Sequence, residues 1–122
     1  MVVDKLLSIL EPLVDNEVYR QGSFSENTKY PKLFITYWEN ESEDKGHYDN
    51  KKVIGVTHSF DVNVYGSDAD EVYDTMEDVI TALKSFDFMV DGKGEDCPSD
   101  EPNYIGRHIE TIYVDYENWK EK

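Results

Sequence analysis

The chain has 122 residues and a mass of 14.2 kDa, enough for one domain with its own core, so 1–122 is read as a single unit. Twelve Lys and Arg against 27 Asp and Glu leave a net charge of −15, which argues against sequence-general binding to nucleic acid or to an anionic membrane. A content of 39% apolar and 13% aromatic residues is too high for a disordered acidic tail.

Residues 2 to 13 carry Val3, Leu6, Leu7, Leu10 and Leu13 at three- and four-residue spacing, the pattern of an amphipathic helix. Asp4 and Lys5 interrupt the apolar run, so it does not read as a secretory signal. No later window has the length of a membrane-spanning helix. Pro12 and Asp15-Asn16 mark the helix end. Residues 17 to 24 are expected to form a first strand.

A second strand is expected over Leu33 to Trp38. Leu33, Ile35 and Tyr37 share one face, Phe34, Thr36 and Trp38 the other. Neither face is plainly polar, which points to cover on both sides or to a subunit contact. Residues 39 to 52 form a long charged loop. Its acids do not make a calcium loop: counted from Asn40, the sixth position is Lys45 where an EF-hand needs glycine.

The clearest strand is Ile54 to Tyr65. Its even positions read Ile54, Val56, His58, Phe60, Val62, Val64, and its odd positions are mostly polar. Asp68 is placed to cap a helix from about Ala69 to Phe86, whose apolar stripe is Ala69, Val72, Met76, Val79, Ile80 and Leu83. A fourth strand starts at Phe88, and Gly92 and Gly94 permit a turn or bulge. A Pro-containing acidic loop covers 96 to 103. The last strand spans about Ile105 to Tyr116, with a bulge expected near Thr111, where the alternation slips. The order α-β-β-β-α-β-β implies an α+β fold, a mainly antiparallel sheet of four or five strands with two helices on one face.

The sequence holds no GxSxG, Walker A or HExxH motif, and no cofactor or metal is expected. His58 reads as a core histidine. Cys97, the one cysteine, lies among Glu95, Asp96 and Asp100, which would raise a thiol pKa, the wrong direction for a nucleophile. Nine Tyr, five Phe and two Trp are the unusual feature. Most fall in or beside strands, where they serve either as core or as interface.

Several segments together carry a resemblance. They are Tyr30-Pro31-x-x-Phe34-x-Thr36-x-Trp38-x-Asn40, Gly46-x-Tyr48-Asp49-Asn50 and Phe60-Asp61-Val62-Asn63-Val64-Tyr65. Gly92-Lys93-Gly94-x-Asp96, Ser99-Asp100-Glu101-Pro102 and Gly106-Arg107 follow. The series resembles the tail-terminator, tail-completion and head–tail joining proteins of tailed phages and prophages of Gram-positive bacteria. That resemblance implies a virion protein assembled in the host cytoplasm, with no catalytic residues. It implies a ring, typically a hexamer, that joins the tail-tube protein to the head connector and lets DNA pass without specific binding. Six copies at −15 each would carry −90, so ring contacts need apolar and aromatic area. Trp38, Tyr48, Asp49, Gly92, Gly94, Asp100, Glu101 and Pro102 are the candidate assembly interface. The rival reading is a small acidic DNA mimic that inhibits a nucleic-acid-binding protein.

Overall fold

Hydrophobic periodicity sets the frame. In the computed structural model, which describes residues 2–23, 30–40, 48–49, 52–53 and 55–115, helix α1 (Val2–Leu10) buries Val2, Leu6, Ile9 and Leu10. The buried stripe is thus turned slightly from the expected one, leaving Val3 and Leu7 at its margin. A 3-10 turn (Glu11–Leu13) takes Pro12 at its start, where a missing N–H costs no helical bond. Asp15 and Asn16 then adopt positive φ and reverse the chain.

Among the described residues eight strands follow: β1 (Val18–Arg20), β2 (Leu33–Glu39), β3 (Tyr48–Asp49), β4 (Lys52–Val53), β5 (Val56–Gly66), β6 (Met89–Val90), β7 (Glu95–Cys97) and β8 (Ile105–Asp115). Six form one sheet in the order β1-β2-β5-β8-β6, with β7 also paired to β8; β3 and β4 make a separate two-stranded ribbon within the expected loop. All pairings are antiparallel except β1 with β2, which is parallel. The architecture is the α+β order read from the sequence.

Helix α2 (Ala69–Ser85) starts at Asp68, whose Oδ1 accepts from the backbone N–H of Asp70 at 3.0 Å and Glu71 at 3.4 Å. Such a cap is worth about 1 kcal/mol. Val72, Met76, Val79 and Leu83 are buried and pack with α1 onto one face of the sheet. That face presents Ile35 from β2, Phe60, Val62 and Val64 from β5, and Ile109 and Tyr113 from β8. Phe88 closes the core, 4.7 Å from the Tyr113 ring. Each such side chain stabilises the fold by about 1.5–3 kcal/mol on full burial.

The β8 bulge expected near Thr111 is absent. Pairing with β5 runs unbroken from Val56↔Asp115 to Gly66↔Ile105. Thr111 is buried in place on the helix side because its hydroxyl donates to the Met89 carbonyl at 3.0 Å. The irregularity lies on the facing edge. Val90 pairs with Thr111 and Glu95 with His108, so residues 91–94 hold two extra residues. Gly92 (φ 79°) and Gly94 (φ 91°) supply the turn there, as their positions predicted.

Candidate functional site

The sheet face away from the helices is where polar chemistry gathers. It begins with the alternate residues of the same strands: Phe34, Thr36 and Trp38 on β2, Asp61, Asn63 and Tyr65 on β5, His108 on β8. Part of this face has its own small aromatic cover. Phe34 stacks between Tyr30 at 5.6 Å and Tyr65 at 5.4 Å, and Tyr104 tilts against Phe34 at 6.1 Å. The Tyr104 hydroxyl lies 2.8 Å from the Pro31 carbonyl and 3.2 Å from that of Tyr30, so it ties the 98–104 segment across the strand end. This explains why neither face of β2 looked polar: Phe34 and Thr36 are buried although no helix lies over them.

Beside this cover a groove of about 480 Å³ opens. Its floor is Thr36, Asn63 and Tyr65, its walls Gln21-Gly22 and the 97–101 segment. Asn63 is held on both sides. Its Oδ1 accepts from His108 Nδ1 at 2.6 Å, and its Nδ2 donates to Thr36 Oγ1 at 3.4 Å. That leaves His108 Nε2 facing Asp61 Oδ1 at 3.8 Å, an ion-pair distance for a protonated ring. Thr36 and Asn63 are both more than nine-tenths buried, so the floor is fixed by satisfied hydrogen bonds.

Cys97, His108 and Asn63 all line this groove, a set of residue types that in other geometries makes a thiol hydrolase. Here the thiol is turned toward the Tyr65 hydroxyl, 4.0 Å away. Burial pushes the Cys97 thiol up, with Asp96 and Glu95 adding to it, against a smaller lowering by Tyr65. The Tyr65 phenol is also pushed up, first by burial and then by Cys97. Both groups are held in their neutral forms, which disfavours a thiolate nucleophile. The raised thiol was expected from its acidic neighbours; burial is the larger cause.

Arg107, next to His108 along β8, points to the helix side. Its guanidinium lies over Tyr73 at 5.1 Å, donates to Asp96 Oδ1 at 3.0 Å and to the Gly94 carbonyl at 2.9 Å. The Tyr73 hydroxyl also donates to Asp96, and together Tyr73 and Arg107 hold the Asp96 carboxyl below its ordinary range.

The candidate interface residues fall in several places. Asp100 and Glu101 line the groove, and Pro102 follows them, exposed. Trp38 lies on the same open face, 42% exposed, with Arg20 over its ring at 5.1 Å. Gly92 and Gly94 line a neighbouring depression of about 650 Å³ along β8. Tyr48 and Asp49 form β3 and are not in the six-stranded sheet. Asn63, Thr36, Tyr65 and His108 lie outside the candidate interface read from the sequence; the polar odd positions of β5 are the signal that points to Asn63 and Tyr65.

His58 is half-buried at the other end of β5, with Nδ1 2.9 Å from Glu39 Oε2. Among the described residues no three His, Cys, Asp or Glu side chains converge to hold a metal ion. Nor is any described helix long and apolar enough to cross a membrane.

No family model and no curated protein matches the sequence. The fold is similar to that of a chain in the solved structure of the virion of a native gene transfer agent (GTA) particle. The TM-score is 0.64 at 12% sequence identity, covering 93% of this chain and 90% of that one. At that identity the likeness is one of fold.

Proposed function

We propose that this chain is a structural protein of a phage-type virion, of the tail-terminator or head–tail joining kind, acting by assembly and without chemistry of its own. The observation that carries the reading is the fold shared, over nearly the whole of both chains, with a chain of the GTA virion. The sequence resemblance to tail-terminator proteins points the same way. In this reading copies of the chain form a ring, with a hexamer as the expected number, between tail tube and head connector. DNA passes through the ring, and carboxylates facing the lumen keep it from sticking; at physiological salt their repulsion reaches only about 8 Å.

The open sheet face supplies the contacts in this reading, since it carries the exposed Trp38 beyond the helix-packed core, with exposed Pro102 at the edge of the groove. The test is light scattering across protein concentration and salt, with negative-stain images, alone and with tail-tube protein. Rings with a central hole, favoured by salt that screens the charge, are the expected result. A chain that stays monomeric in every condition, tail-tube protein included, overturns the reading; tight capture by a basic nuclease would then favour the DNA mimic. Trp38→Ala should weaken ring formation while leaving stability within about 1 kcal/mol, because the ring is already 42% exposed.

A further inference from the structure

We infer that the groove on the open sheet face is a receptor for an arginine- or lysine-bearing segment of another protein. The inference names the partner chemistry of the site above and so rests on the assembly reading.

Among the described residues the lining carries three carboxylates, Asp61, Asp100 and Glu101, and no lysine or arginine. His108 is the only cationic partner that Asp61 has among the described residues, and only when protonated. The sequence has two arginines, and both are engaged outside the groove, Arg20 over Trp38 and Arg107 over Tyr73. Carboxylates at the rim and aromatic rings in the wall form the environment a guanidinium prefers. The carboxylates accept paired hydrogen bonds, and the aromatic rings of Tyr30 and Tyr65, which line the groove, attract the cation. Both intramolecular arginines already show that stacking, each about 5 Å from its ring. The volume lies in the range that holds a drug-sized ligand, about 300–1,000 Å³. The floor is pre-organised by the His108–Asn63–Thr36 bonds, so an incoming side chain need not order it.

Charge selects among occupants. Phosphates would be repelled by the same carboxylates. A second copy brings a further −15, whereas a basic segment neutralises the rim.

The probe is a capped Gly-Arg-Gly-Arg-Gly peptide titrated into the full chain, followed by amide and side-chain NMR shifts. Shifts should map to Thr36, Asn63, Tyr65, His108 and 97–101, and a citrulline version of the peptide should not produce them. Asp100→Asn with Glu101→Gln should weaken binding about tenfold or more, the loss expected for charge-assisted hydrogen bonds. Glu77→Gln with Asp78→Asn, on the exposed side of α2, removes the same charge and should change binding by less than about twofold, the residue of long-range screening.

Equal weakening by the two pairs overturns the inference, because the peptide would then be reading net charge. So does binding of the citrulline peptide, or a shift pattern elsewhere. The same shifts on concentrating the protein alone would mean that a second copy fills the groove, which also overturns it. Rings in the micrographs together with no peptide binding would sink this inference and leave assembly standing. Peptide binding without rings would do the reverse.

Discussion

The two faces of the six-stranded sheet share every strand yet are built from opposite materials, and β5 shows it residue by residue. Phe60, Val62 and Val64 are fully buried under α1 and α2. Between them Asp61, Asn63 and Tyr65 meet the His108 and Cys97 side of the molecule. On the helix face the contacts are non-directional and their sum is large, so that face carries stability. On the open face Thr36 and Asn63 are buried with oriented hydrogen bonds, each adding only about 0.5–1.5 kcal/mol net, while Asp61, Tyr65 and His108 stay partly exposed. Such a surface is poor as a second core and well suited to recognition, because its donors and acceptors hold fixed positions.

The strongest way to break this division is to hollow out the helix face. Phe60→Ala removes a fully buried ring that contacts Phe88 and should cost about 3–5 kcal/mol, a large share of the 5–15 kcal/mol typical of a domain. Urea unfolding should show a large drop in midpoint. A cost below about 1 kcal/mol would mean that the helix face does not carry the stability assigned to it.

A smaller effect is expected where the open face is packed most tightly. A Cβ at Gly106 would stand 2.6 Å from Tyr65 Cε1, 2.8 Å from the Cys97 carbonyl and 2.9 Å from Cys97 Sγ. Gly106→Ala must therefore push Tyr65 or β7 aside, at about 1–3 kcal/mol. Because Tyr65 and Cys97 line the groove, the same variant should also shift the NMR signals of Asn63 and His108. A stable protein with those signals unmoved would show that the groove is looser than its contacts imply.

How much of this was legible beforehand follows from the range of each interaction. The α+β order, the Asp68 cap and the buried side of β5 are local patterns, and the sequence displays them within a few residues. The parallel pairing of β1 with β2 is not local: Val18 meets Ile35 across a long connection that no short pattern encodes. The bulge expected at Thr111 is absent: a buried threonine in a strand looks like a break in hydrophobic alternation, whereas its hydroxyl is satisfied by the Met89 carbonyl. That reading mattered for the site. The unbroken register sets Asn63 opposite His108, and a slip in β8 would put the two strand halves on different registers. Asp100 and Glu101 are legible as interface candidates, but the groove they border is assembled from the turn after β1, from β2 and β5, and from β7, β8 and the segment between them. Such convergence is a property of the sheet and is invisible in any one segment.

The smallest effect separates the faces by pH. Cys97 sits on the open side, and burial raises its pKa in the folded chain. An unfolded thiol ionises near 8.5, so above that pH the unfolded chain sheds a proton that the folded chain keeps. The unfolded state then binds fewer protons, so stability is fully present below about pH 8.5 and falls as pH rises from there toward the folded pKa. Tyr65 is raised in the same sense, but its unfolded phenol ionises only near 10, so between pH 7 and 9.5 the thiol dominates this pair. Cys97→Ser should remove that slope: its loss of stability from pH 7 to 9.5 should be smaller than that of the native chain by less than about 1 kcal/mol, since solvent reaches the half-buried thiol and screens it. Parallel urea titrations at the two pH values measure the difference directly. Identical pH slopes for the two proteins would mean that the thiol is as wet in the folded chain as in the unfolded one, and the wall that Cys97 gives the groove would then be open to water.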